Sequence, residues 1–297
     1  MIAVAKTAFL FPGQGSQQVG MGESFSEDPR VATLYETAGE VMGFDLKELM
    51  LEGPEEQLSR TEYAQPAIFT DSLARYEILR DKGIEPSCML GHSLGEFSAI
   101  VASGALSFRE GIELVKKRGE LTGNIDVKGS MVAVLGADYA KVEELVDQMD
   151  EPVTIANYNS PQQVVISGRE DHLDRSCKRL RSENARCIEL DVTGPFHSAF
   201  MDEAEKELEG FIEGCNFSDP DLPVLSGVSG SFERDGERLA KLLARQMTHP
   251  VMWVNYVQSL KDFGVDRTVE VGPDKTLTKL TERTVPGLEG KSFAEVI

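Results

Sequence analysis

An α/β fold is predicted by three features of this 297-residue chain. Short apolar runs lead into helical patterns near both ends, at Thr7–Phe11, Cys88–Leu90 and Thr268–Val271, as expected of buried parallel strands. The second run feeds the string Gly91-His92-Ser93-Leu94-Gly95 and then an apolar helix, which makes a strand-to-helix corner with a serine at its tip. Between residues 129 and 192 the element order becomes βαββαβ, a split unit set between two halves of a larger one. The expected architecture is a large hydrolase-like parallel-sheet domain, residues 1–128 and 193–297, with a ferredoxin-like subdomain inserted at 129–192.

Taken in order, Thr7–Phe11 is the first strand, ended by Pro12 and the polar loop Gly13-Gln14-Gly15-Ser16. That loop lacks the lysine of a phosphate-binding loop. A loop at the carboxyl end of a buried strand is nonetheless where open α/β sheets hold ligands, so the Gln14 N–H is a candidate oxyanion donor; a simple turn is the alternative. Residues 29–58 read as helical, with Pro54 opening a short acidic segment. A long helix is expected over 62–82, interrupted near its start by Pro66 and closed by Gly83. At the corner that follows, the two glycines permit a tight turn, and the helix start beyond Ser93 supplies free N–H groups and a positive dipole end. An ordinary strand-to-helix turn is the alternative to a nucleophile there.

After a break at Gly104–Ser107, residues 108–122 resume the helical pattern and carry Arg118, which from spacing alone is as readily a solvated surface cation as a ligand for substrate. The inserted unit is predicted as strands at 131–135, 153–158, 163–167 and 186–190 with helices at 139–149 and 171–183. In its second helix Leu173, Cys177 and Leu180 share one face, leaving Arg175, Lys178, Arg179 and Arg181 mainly outward. With Arg186 they form a basic surface, which is either merely solvated or a docking face. Four histidines compete for the role of base. His92 should point away from its neighbour Ser93, and His172 lies on a charged helix; His197, in a turn after a strand, is favoured over His249, which Pro250 restrains. The remainder gives a short strand at 223–226, helices at 236–247, 251–263 and 275–284, and a last strand at 268–271.

Composition limits the functions available. Hydrophobic residues make up 41% and charged residues 27%, values of a water-soluble globular protein, and no apolar run is long enough to cross a bilayer. Residues 1–11 lack the features of a signal peptide, so a cytoplasmic protein is expected. Cys88, Cys177, Cys187 and Cys215 are scattered, which argues against a zinc knuckle or a redox dithiol. A net charge of -20 disfavours nucleic acid and anionic membrane as partners. The acidic residues are dispersed rather than gathered in a tail, so solubility is the simpler explanation of the charge. A monomer is the default expectation.

Several strings in order now identify a resemblance covering nearly the whole chain. They are Phe11-Pro12-Gly13-Gln14-Gly15-Ser16-Gln17, Tyr63-Ala64-Gln65-Pro66-Ala67, Gly91-His92-Ser93-Leu94-Gly95-Glu96, Arg118-Gly119, Asn157-Tyr158-Asn159-Ser160-Pro161, Phe196-His197-Ser198, Pro250-Val251-Met252-Trp253 and Glu270-Val271-Gly272-Pro273. Together they resemble the malonyl-CoA:acyl carrier protein transacylase family. The resemblance implies Ser93 as nucleophile, His197 as its acid and base, and the N–H groups of Gln14 and Leu94 as the oxyanion hole. It implies that a backbone carbonyl, at Gln246, holds the imidazole in place of an aspartate. It also implies that Arg118 pairs with the malonyl carboxylate, that Gln65 and Asn157 help to bind substrate, and that the bulk of Phe196 favours malonyl over methylmalonyl. The expected partners are malonyl-CoA, as substrate, and acyl carrier protein, with Arg175, Lys178, Arg179 and Arg186 as the docking surface; no metal or redox cofactor is expected. His249 departs from the asparagine many members carry before the Pro-Val pair. A transferase for another extender unit such as methylmalonyl-CoA, a serine hydrolase, and a non-catalytic carrier-binding module are the alternatives.

Overall fold

The structure, a computed structural model, describes residues 5–150 and 152–297. Strand β1 (Thr7–Phe11) is buried at every position. Phe9 and Phe11 enter the core on one face of its sheet, and Ala8 and Leu10 the core on the other. A strand covered on both faces has no solvent-facing positions, hence the continuous apolar run. Helix α1 (Pro29–Met42) begins where the Asp28 carboxylate accepts from the Arg30 N–H, with proline first in the helix, and stops at Gly43 with φ 79°. Helices α2 (Leu46–Glu52) and α3 (Glu55–Leu58) complete the run expected over 29–58.

Helix α4 (Thr61–Asp81) continues through Pro66, where an interruption is expected. Proline inside a helix costs about 3 kcal/mol, and fully burying one large apolar side chain returns roughly 1.5–3. Ala64, Ala67, Ile68 and Phe69 are all fully buried around Pro66, so packing outweighs the lost bond. Strand β2 (Cys88–Gly91) turns into α5 (Gly95–Ala102), and α6 (Phe108–Gly123) starts at a Ser107 cap that accepts from the Glu110 N–H.

The next elements form a separate four-stranded antiparallel sheet. They are β3 (Gly129–Leu135), α7 (Tyr139–Asp147), β4 (Val153–Ser160), β5 (Gln163–Arg169), α8 (Glu170–Ser182) and β6 (Arg186–Glu189), with strand order β4-β5-β3-β6. Both helices lie on one face, against Val132, Val134, Val164 and Ile166. The other face, with Met131, Ala133 and Val165, meets Leu190, Val192 and Phe196. Backbone bonds tie β4 to the rest of the chain: the Val251 N–H donates to the Ala156 carbonyl at 2.8 Å and the Tyr158 N–H to the Val251 carbonyl at 2.9 Å.

The chain then adds α9 (Asp202–Ile212), β7 (Val224–Leu225), β8 (Phe232–Glu233), α10 (Gly236–Leu243), α11 (Trp253–Phe263), β9 (Arg267–Glu270), α12 (Thr276–Thr284) and β10 (Glu289–Ser292). The large sheet runs β10-β9-β1-β2-β7-β8 and is parallel except for β8. Helix α10 stops at Leu243, short of the expected Met247, and Val251 pairs with Asn157 in a bridge instead of opening α11. Strands β8 and β10 lack apolar runs and have no counterpart in the sequence reading. No described helix is long and apolar enough to cross a membrane.

Candidate active site

Ser93 stands between the end of β2 and the start of α5 with φ 52°, in the left-handed region. The glycines beside it are required by space. A Cβ on Gly91 would lie 1.8 Å from the Gly95 carbonyl carbon, and one on Gly95 would lie 2.0 Å from the Phe11 carbonyl oxygen. Among the described residues three non-glycines have positive φ: Ser93, His197 at 55° and Asn184 at 66°. Backbone strain of this kind, about 1–3 kcal/mol per residue, persists where surrounding structure enforces it and concentrates at functional sites.

The first two of these residues meet. Ser93 Oγ lies 2.8 Å from His197 Nε2. His197 Nδ1 is 2.8 Å from the His249 carbonyl oxygen and 3.3 Å from that of Gln246. Carbonyls only accept, so Nδ1 carries the proton and Nε2 is left bare to accept from the Ser93 hydroxyl. The carbonyl expected at Gln246 is thus present, but the His249 carbonyl is the shorter contact. The His249 ring turns elsewhere, with its Nδ1 2.6 Å from the Arg245 carbonyl oxygen. His92 also points away from Ser93, its Nε2 lying 2.8 Å from Asn159 Oδ1. Burial, reinforced by the Arg118 cation, holds the His197 imidazole down to about 3.

Arg118 projects from α6 into the same site and is 4% exposed. Its Nη1 donates to Gln65 Oε1 at 2.7 Å and its Nη2 to Ser93 Oγ at 3.0 Å, with Gln246 Oε1 at 3.4 Å; its Nε–H has no acceptor among the described residues. Gln65 is itself held by a bond to Thr122 Oγ1 at 3.1 Å. Burial lowers the Arg118 pKa to about 10, against the opposing pull of Glu96. Glu96, on α5, has no role assigned from sequence, yet it is fully desolvated and accepts from Gln246 Nε2 at 2.6 Å and from the Gly227 N–H at 2.9 Å. The available signal was a carboxylate inside an otherwise apolar helix start.

The site opens into a cleft of about 260 Å³ between the two sheets, lined by Gln14 and Ser93 on one side and by Met131, Ala133, Val165 and Phe196 on the other. Asn157, at a β-bulge in β4, also faces it. The N–H groups of Gln14 and Leu94 donate to no acceptor among the described residues. The basic cluster is not gathered at this cleft. Arg175, Lys178 and Arg179 lie on α8, which covers the opposite face of the small sheet. In β6, Cys187 faces α8, with its Sγ 3.9 Å from the Cys177 carbonyl oxygen, so alternation turns Arg186 toward the cleft face.

Residues 8–297 match the model of the acyl transferase domain. The chain belongs to this family. Among acyl transferase relatives, a malonyl CoA-acyl carrier protein transacylase of Bacillus subtilis is 38% identical over 94% of this chain and 90% of its own length. The solved acyl carrier protein S-malonyltransferase of Vibrio cholerae is 37% identical, with a TM-score of 0.92 over 97% of this chain and 96% of that one. A malonyl-transacylase solved in complex with its type II polyketide synthase acyl-carrier protein also has a TM-score of 0.92, at 35% identity over 97% of this chain and 96% of that one.

Proposed function

We propose that the protein moves a malonyl group from malonyl-CoA to the phosphopantetheine thiol of an acyl carrier protein, through a malonyl ester on Ser93. The observation that carries this reading is the buried guanidinium beside the serine: Arg118 Nη2 is 3.0 Å from Ser93 Oγ, and its Nε–H is unpaired among the described residues. An orphaned buried donor on a cation calls for an anionic acceptor. Malonyl brings a carboxylate where acetyl has only hydrogen, and a guanidinium can bind both carboxylate oxygens.

In the first half-reaction Ser93 Oγ attacks the thioester carbonyl while its proton passes to His197 Nε2. The N–H groups of Gln14 and Leu94 hold the oxyanion, the carbon–sulfur bond breaks, and the CoA sulfur takes the proton from His197. The carrier's thiol then repeats the steps in reverse order: it gives its proton to His197, attacks the ester, and releases Ser93 as the hydroxyl. The Nδ1 bonds to the His249 and Gln246 carbonyls fix the tautomer that both halves need. Gln65 steadies Arg118, and Asn157 and Phe196 shape the acyl pocket, with Phe196 limiting room for a methyl branch. We assign residues 1–128 and 193–297 to the domain bearing the nucleophile and 129–192 to the one closing the cleft. Docking of the carrier is assigned first to Arg186, with Arg175, Lys178 and Arg179 as the more remote part of the basic surface. Both reactants are charged and water-soluble, in keeping with action in the cytoplasm.

The test is Arg118→Ala. Removing one partner of a buried charge pair costs about 2–5 kcal/mol, so kcat/KM for malonyl-CoA should fall on the order of 100-fold while acetyl transfer rises relative to it. An unchanged malonyl-to-acetyl ratio sinks the assignment.

A further inference from the structure

The scheme above leaves Glu96 unused, although its buried carboxylate shares the Gln246 amide with the Ser93 carbonyl. Arg118 makes no ion pair within 4.0 Å among the described residues, and a buried cation without a counter-charge is costly. Glu96 stands one amide away. The Gln246 Nε2 group donates to Glu96 Oε2 at 2.6 Å and to the Ser93 carbonyl oxygen at 2.8 Å. With both of its N–H bonds engaged, the amide must present Oε1 to Arg118 Nη2, at 3.4 Å. The other carboxylate oxygen accepts from the Gly227 N–H at 2.9 Å, so both oxygens face donors, as an ionised carboxylate requires.

We propose that Glu96 is a positioning residue for acyl selectivity: through the Gln246 amide it keeps the Arg118 guanidinium aimed at the acyl pocket without pairing with it directly. A direct ion pair would occupy the donors that the substrate carboxylate needs. The indirect one supplies the field and leaves the Nε–H without an acceptor among the described residues. The charged and titratable groups facing this pair are Arg118 on α6, His197 after β6, and Tyr256 on α11, whose hydroxyl donates to the Gly227 carbonyl. Burial raises the Glu96 carboxyl above its ordinary value, opposed by the Gln246, Gly227 and Ser226 donors and the Arg118 charge, and Glu96 in turn opposes the downward pull of burial on Arg118. The inference rests on Arg118 as the ligand of the malonyl carboxylate.

The experiment measures initial rates with malonyl-CoA and acetyl-CoA for the unaltered protein and for Glu96→Gln, Glu96→Asp and Arg118→Ala, with thermal melts as folding controls. Glu96→Gln sets two amide donors face to face and removes the charge. Its malonyl-to-acetyl ratio should fall about tenfold, the scale of one lost opposite-charge interaction. Glu96→Asp keeps the charge but retreats from Gln246, so the ratio should fall by less. If Glu96→Gln does not fold, Glu96→Asp decides by the ratio alone. A purely structural Glu96 would lower both substrates' rates equally, and an unmoved ratio in both variants overturns the proposal. If Arg118→Ala abolishes malonyl preference while the Glu96 variants keep it, only the Glu96 inference fails; if Arg118→Ala keeps that preference, both fail.

Discussion

Burial and the Arg118 cation hold the His197 imidazole down to about 3, against an ordinary value of 6.5, so the ring is neutral and its Nε2 bare at any working pH. The sign of the linkage follows. Between 6.5 and about 3 the unfolded chain binds this proton and the folded one does not, so this contribution to stability is complete above 6.5 and is lost as pH falls toward 3. Activity should follow the folded value. The acid limb of kcat/KM for malonyl-CoA should show no inflection near pH 6.5 and should descend only well below pH 5, as a pH-rate profile would record; an inflection near 6.5 would mean that His197 is not held in this environment. At this scale the sequence carries the residue types but not their meeting. Ser93 lies 25 residues from Arg118 and 104 from His197, and the 3.0 and 2.8 Å contacts arise only when α6 and the turn after β6 converge on the elbow. Carbonyl roles have no side-chain signature. That is why the His249 main chain, and not its ring or the Gln246 carbonyl, being the nearer support of His197 could not be read in advance.

At the scale of elements, the elbow is the most legible feature, because steric demand at two glycines is written directly in the chain. Gly95 approaches the Phe11 carbonyl so closely that a methyl group there would sit 2.0 Å from its oxygen, and the contact is backbone, which cannot rotate away. Gly95→Ala should therefore destabilise the protein by about 3 kcal/mol, as overpacking at a rigid contact does, with loss of activity; denaturant unfolding would measure it. A loss below roughly 0.5 kcal/mol would show that the elbow can relax. The buried strands β1, β2 and β9 are legible for a related reason, since burial on both faces leaves only apolar choices. Strands β8 and β10 are not legible: Phe232–Glu233 is two residues long, and Glu289–Ser292 is a partly exposed edge chosen by its neighbour β9. Helix α4 misleads in the other direction. Pro66 is a sound local stop signal, overridden by the fully buried Ala64, Ala67, Ile68 and Phe69 around it.

For the whole molecule, the net charge of -20 makes the long-range field repulsive to any anionic partner, so attraction to such a carrier must be local. Sequence spacing groups four cations, but the fold divides them, with Arg186 on the cleft face of the small sheet and the α8 cations on the far face. Arg186→Glu should raise the KM for carrier protein several-fold at low salt, as loss of a rim charge does, without altering that for malonyl-CoA. Arg179→Glu should do so less; equal effects on both substrates would count against docking at this surface. All of these readings converge on one covalent species. The most direct test is intact-mass spectrometry of the protein mixed with malonyl-CoA, with and without carrier protein, beside Ser93→Ala. The predicted result is one malonyl group on Ser93, stable in water, discharged when the carrier is added, and missing from Ser93→Ala. An adduct that survives in Ser93→Ala, or one that water removes before the carrier can, would contradict transfer through Ser93.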